Sequence, residues 1–171
     1  MLKKFCALIC VFVCSAVIFA QKAPEKILSA KDVSAFVSNY ASIQRDLDAL
    51  GDKYDDFFDS ELDDTENPTL ALTQLRFLNV PAEIESVFKK NGMGDKGFEK
   101  FMVITMGVSV LYSVDTMNEQ KKEYANQPEM QPYLVAIEDM MKEMLNSIHK
   151  EDLSLIKTRL KELVKLIEDE D

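Results

Sequence analysis

The densest chemistry in this sequence is an acidic run: Asp52, Asp55, Asp56, Asp59, Glu61, Asp63, Asp64 and Glu66. On a helix, Asp52, Asp55, Asp56 and Asp59 share one face, and carboxylate oxygens gathered there would suit a hard cation such as calcium. The calcium-binding helix–loop–helix spacing is missing, since counting from Asp59 it requires glycine at 64 and glutamate at 70, where Asp64 and Leu70 stand. The run therefore reads as a solvated acidic face, with a weak divalent-cation site as the alternative. Met102 and Met106, and Met140 and Met144, lie one helical turn apart, as a thioether pair for Cu(I) would. Both pairs also sit in apolar stretches where methionine is an adaptable core filler, and that is the role expected of them. His149 is the single histidine, and without Cys or a second His it makes no zinc site of the usual kind. Near the end of its helix it would suit the negative helix terminus when protonated.

Nothing in the sequence assembles a catalytic constellation. A serine hydrolase needs a base beside its nucleophile, and here there is one histidine and no GxSxG turn. A phosphate-binding P-loop and a GxGxxG dinucleotide turn are also missing; Gly92-Met93-Gly94 is only GxG, and a helix stop explains it. Carboxylate pairs are plentiful, but an acidic surface always offers some. The chain reads as non-enzymatic, with no catalytic, cofactor or metal residue expected.

The elements that would position these residues are helices. Phe36, Tyr40, Ile43, Leu47, Leu50, Tyr54 and Phe57 recur at intervals of three and four, one apolar seam along a helix of roughly eight turns. Ser29 and Asp32 supply the polar start of that helix. It should fade before Asn67-Pro68, because the residue preceding proline avoids helical backbone angles. Short segments follow over Thr69–Asn79 and Pro81–Lys90, each with proline where a first turn tolerates it. Asn91-Gly92-Met93-Gly94 closes the second, and Asp95 is expected to cap the next helix. The centre of that helix, residues 101–112, has only Thr105 and Ser109 as polar members. Being apolar all round, the helix over about 95–120 should be the one the others surround.

Lys121 to Pro132 is a connection or a broken helix end. Beyond it Leu134, Ile137, Met141, Met144 and Ile148 mark an amphipathic helix. Leu153, Ile156, Leu160, Leu163 and Ile167 mark a last one, with Asp152 as its expected cap. No alternating strand pattern and no fixed-period repeat appears. The predicted fold is all-α, a single-domain bundle of about five or six helices around the central hydrophobic one. The seams of the first and last helices fit a coiled-coil dimer as well as an intramolecular bundle.

Residues 1–20 have the build of a signal peptide: Lys3 and Lys4, an apolar stretch from Phe5 to Ala20, then polar Gln21 and Lys22 before Pro24. Cleavage near Ala20 would leave residues 21–171 as the helical domain. An uncleaved anchor, or a lipid on Cys10 or Cys14, is the alternative. All three cysteines lie in the leader, so the mature chain has none and must hold together by core burial. With 47% apolar residues and only five Gly and five Pro, it is neither disordered nor collagen-like. The formal charge of −10 becomes −12 once Lys3 and Lys4 leave. Such a surface repels phosphate, which makes nucleic acid and anionic lipid poor partners. Nothing after residue 20 approaches the roughly 18 consecutive apolar residues of a bilayer span, so no integral membrane domain is expected in the mature chain.

The stretch PAEIESVFKKNGMGDKGFEKFMVITMGVSVLY and the later DLSLIKTRLKELVKLI resemble an uncharacterised family of small exported bacterial helical proteins. The shared order is a short helix ending at glycine, an aromatic residue opening a hydrophobic helix rich in small residues, and a closing helix behind a polar cap. Trp, frequent in those relatives near the position of Phe98 to Phe101, is missing here. The resemblance implies fold and export and supplies no activity or site. The functional expectation is an exported, non-catalytic module, periplasmic or extracellular, that binds a protein or envelope component. The alternatives are a carrier of a small apolar ligand held between helices, and weak binding of a divalent or soft cation. No cofactor is expected.

Overall fold

The computed structural model describes residues 24–54, 78–124 and 126–168. The leader, most of the acidic run and the expected helix over 69–79, apart from its last two residues, lie outside them. The described residues form an all-α bundle without strands: α1 (Ala30–Asp48), α2 (Ala82–Lys90), α3 (Gly97–Glu123), α4 (Gln131–Ser147), α5 (Lys150–Thr158) and α6 (Leu160–Glu168). Short 3-10 turns occupy Gly51–Tyr54 and Pro128–Met130. As expected from its composition, α3 is the central helix, with all five others packing on it. At 27 residues it is about 40 Å long. By length and composition alone it could cross a membrane, and here its first half is enclosed by the other helices.

An aromatic hub ties α1, α2 and α3 together. Phe101 on α3 meets Phe36 and Phe88, each at 5.2 Å between ring centres, and stacks on Tyr40 at 6.2 Å. Around it Phe36, Ile43, Ile84, Phe88, Met93 and Ile104 are fully buried. Rings of this size each bury a large apolar area and contribute strongly to the core.

The start of α1 is as expected, with Ser29 and Asp32 forming a reciprocal capping box. Its end is not. In place of one long helix to residue 57, α1 stops at Asp48 and Gly51 takes a left-handed backbone (φ +59°) that residues with a Cβ adopt only at a cost. This turn brings Lys53 Nζ and the Tyr54 hydroxyl onto Glu83 of α2, at 2.7 and 2.8 Å. The stop after α2 follows the expected form: the Met93 amide donates to the Phe88 carbonyl and the Gly92 amide to Lys89, with Gly92 at φ +86°.

Two expected caps are corrected. Asp95 does not cap α3; it pairs with Lys89 at 3.0 Å, while Lys96 holds the cap position. The first amide of α3, that of Gly97, donates instead to Glu85 Oε2 of α2 at 2.9 Å, a cap supplied across the helix crossing. Nor does Asp152 cap the last helix. His149 holds that position, its Nδ1 accepting from the Glu151 amide at 3.2 Å. The expected single closing helix is two, broken at Arg159 (φ −121°). On either side of the break α5 and α6 each pack on both α1 and α3, with Ile156 and Leu163 fully buried. Arg159 braces the bend by reaching Glu162 and the Ser34 hydroxyl.

Candidate functional site

The polar residues inside the bundle all have structural work. Asp152 is 1% exposed, and its two oxygens accept from the backbone amides of Ile27 (2.9 Å) and Leu28 (3.1 Å). A carboxylate accepting two amides makes charge-assisted bonds, and here they fasten the extended segment 24–29 to α5. Lys26 adds an exposed ion pair to Glu151.

Asp32 joins α1 to α3 through Lys100 Nζ at 2.8 Å, and the same ammonium donates to the Met93 carbonyl. Burial of Asp32 would raise its pKa. The bonds from Lys100, the Ser29 hydroxyl and the Ser29 amide outweigh that, so the carboxyl sits below the ordinary range. Asp46 accepts from Lys90 (2.9 Å) and from the Asn91 side chain (3.0 Å), chiefly through which its pKa is drawn down to about 2. Each of these carboxylates is held in its charged form by partners that tie helices together. A general acid or base would need a pKa moved toward neutrality, and these move away from it.

The sequence candidates are now placed. The Asp52 side chain and Asp55 to Glu66 lie outside the described residues. Among the described residues no three His, Cys, Asp or Glu side chains gather as a metal site. His149 sits where α5 begins, and its Nδ1 accepts from the Glu151 amide. The expectation that it complements a negative terminus when protonated gives way to this role at the positive end of α5. Met102 and Met106 are half-buried against the core, as is Met144, but Met140 is 46% exposed and fills no core.

Among the described residues, surface clefts of about 500, 300 and 260 Å³ open broadly to solvent. The most apolar runs between α3 and α6, floored by Tyr112, Leu160 and Val164 and edged by Asp115, Lys161, Lys165 and Glu168.

The most distinctive surface lies on α4. Leu134, Met141 and Ile148 of its expected seam are buried, but Ile137 is 37% exposed. Beside it Tyr133 is 67% exposed and Met140 46%. Tyr133, Ile137, Met140 and Met144 follow intervals of 4, 3 and 4, a second apolar line flanking the buried one. The physical reason is that, among the described residues, α4 packs principally on one neighbour, α3. One neighbouring helix covers a narrow stripe, whereas the apolar face of α4 is two stripes wide. The three outward residues present on the order of 300 Å², the size of the largest apolar patch on an ordinary monomer and one that is often functional. Sequence reading missed this stripe because it assigned one seam to a helix carrying two at the same spacing. The signal was present in Tyr133 and Met140, which fit that second line.

No protein-family model, curated protein or solved structure matches the chain.

Proposed function

We propose that this chain is an exported, non-catalytic helical module that binds a protein or envelope component through its surface. The observation that carries the reading is the exposed Tyr133–Ile137–Met140 stripe on a helix with one principal neighbour. Large apolar side chains aligned on a rigid helix are the usual anchor of a protein interface. Export rests on the leader-like residues 1–20, with cleavage near Ala20, and agrees with the resemblance to small exported helical proteins. The net charge of −12 after cleavage turns the module away from nucleic acid and anionic lipid. The carrier alternative requires an enclosed apolar cavity; the clefts among the described residues are open grooves, and the exposed stripe favours the binding reading over it.

The test is site-specific photo-crosslinking in the producing cell. A photoreactive residue replacing Ile137 should give a discrete adduct that the same residue at Lys157, exposed on α5, does not. No adduct at 137, or the same products at both positions, refutes the reading.

A further inference from the structure

We infer that the α4 stripe takes an amphipathic helix with Lys or Arg flanking its apolar face; this rests on the binding-module reading and names the chemistry of its partner. Two observations converge on the arm that α4 forms with the second half of α3. The first is the stripe itself. From Tyr133 to Met144 it runs roughly 16 Å, about three turns of a facing helix, with large side chains at the spacing another helix's apolar residues can straddle. A partner helix there would complete a three-helix cluster that α3 and α4 leave open.

The second is the charge of the arm that carries it. Across residues 112–147 the only basic side chains are Lys121, Lys122 and Lys142, and two of these are already engaged: Lys121 with Glu138, and Lys142 with Glu138 and Asp139. Glu119, Glu123, Glu129 and Glu143 are exposed and have no cationic partner among the described residues, while Asp115 edges the α3–α6 groove beside Lys161 and Lys165. The arm therefore carries both an oily line and a surplus of unpaired carboxylates. Interfaces match opposite potentials, and burying the stripe against a like-charged surface would set carboxylate against carboxylate. That disfavours a second copy of this acidic chain and an anionic bilayer, both of which would meet the stripe with negative charge. A basic amphipathic helix satisfies both features together: its apolar side chains cover Tyr133, Ile137 and Met140 while its cations reach the free acids. Exposed methionine suits such a surface, because the flexible thioether adapts to side chains of differing shape.

The experiment measures binding of three synthetic helical peptides to the full mature chain. All carry Leu at the apolar positions, with Lys, Gln or Glu at the polar ones. The Lys peptide should bind at least roughly tenfold more tightly than the Gln peptide, the Glu peptide should not bind, and the Lys affinity should fall between about 50 and 300 mM salt. Because a cationic peptide could settle anywhere on an acidic surface, the decisive comparison is the double variant Ile137→Ser/Met140→Ser. It should lose at least roughly tenfold in affinity, whereas Tyr112→Ser, exposed in the α3–α6 groove, should not. A three-fold charge variant, Glu123→Gln/Glu129→Gln/Glu143→Gln, alters no packed residue and should weaken the Lys peptide alone. Circular dichroism melts of all variants should match the parent.

Lys-peptide binding unchanged by the double variant overturns the inference, as does stripe-dependent binding of Gln and Lys peptides with equal affinity. The latter leaves the binding-module reading standing with an uncharged partner. Stripe-dependent dimerisation in sedimentation, or stripe-dependent flotation with phosphatidylglycerol vesicles, also overturns it in favour of those occupants. If no peptide binds, the inference fails, and the crosslink at 137 decides separately whether the reading fails with it.

Discussion

Replacing Gly97 by alanine tests the crossing of α2 and α3 on which the aromatic hub is built. Phe88 is fully buried, and a methyl on Gly97 would lie well under 3.0 Å from Phe88 Cβ, 3.2 Å from its Cγ and 3.4 Å from its Cα. A clash with the tip of a side chain is relieved by a new rotamer. Cβ and Cα move only with the backbone, so the two helices must part by on the order of 1 Å. Separation would stretch the Glu85 bond to the Gly97 amide and loosen Phe88 against Phe98 and Phe101. Overpacking of this kind costs about 1–3 kcal/mol and more where backbone must shift, whereas the helix-forming gain of alanine over glycine returns about 1 kcal/mol at most. A net loss of about 2–3 kcal/mol is expected. For a domain of this size that lowers Tm by roughly 4–12 °C, and in urea it shifts the midpoint without changing the slope. Far-UV circular dichroism during urea titration measures both. A Gly97→Ala midpoint equal to or above the parent would refute the reasoning, since it would mean that α2 and α3 do not cross this closely. Gly107→Ala supplies the graded comparison: its methyl would meet Ile156 Cδ1 at 2.5 Å, the end of a flexible side chain, and should cost less.

Two further outcomes follow from the buried Asp152 and the half-buried Asp46. Asp152→Ala leaves the Ile27 and Leu28 amides without their acceptor and should cost about 2–4 kcal/mol, and trypsin should cut at Lys26 and Lys31 faster than in the parent; unchanged proteolysis would show that Asp152 does not fasten this segment. Asp46 has a folded pKa of about 2 against an ordinary value of 3.8, held down first by Lys90 and then by Asn91. A depressed folded pKa means that its contribution is complete above the unfolded value and is lost as pH falls through the folded one. The urea midpoint should therefore fall between about pH 4 and pH 2, and Asp46→Asn should reduce that fall; an identical acid profile in the variant would exclude Asp46 as a contributor.

The sequence was most legible where local rules and tertiary needs agree. Ser29 and Asp32 cap α1, and Gly92 ends α2, because both motifs satisfy free backbone groups with neighbours a few residues away. It misled where a nearby acid had a better partner at a distance. Asp95 and Asp152 both stand at the right interval to cap a helix, yet one meets Lys89 and the other the amides of Ile27 and Leu28, more than 120 residues away in sequence. The periodic seams were read correctly as helical but too long, because spacing continues through Gly51 and Arg159 whereas the backbone does not.

What the sequence by itself determined is helix content, the central place of α3 and the chain's net negative charge, all of which follow from side-chain types and their interval along the chain. Which of two equivalent apolar lines on α4 would be buried was left to the tertiary structure. The two lines share Ile137 and Met144 and the same spacing, and the side of α4 on which α3 packs decides which line is covered. With α3 as its principal neighbour, Leu134 and Met141 turn inward and Tyr133, Ile137 and Met140 are left facing water.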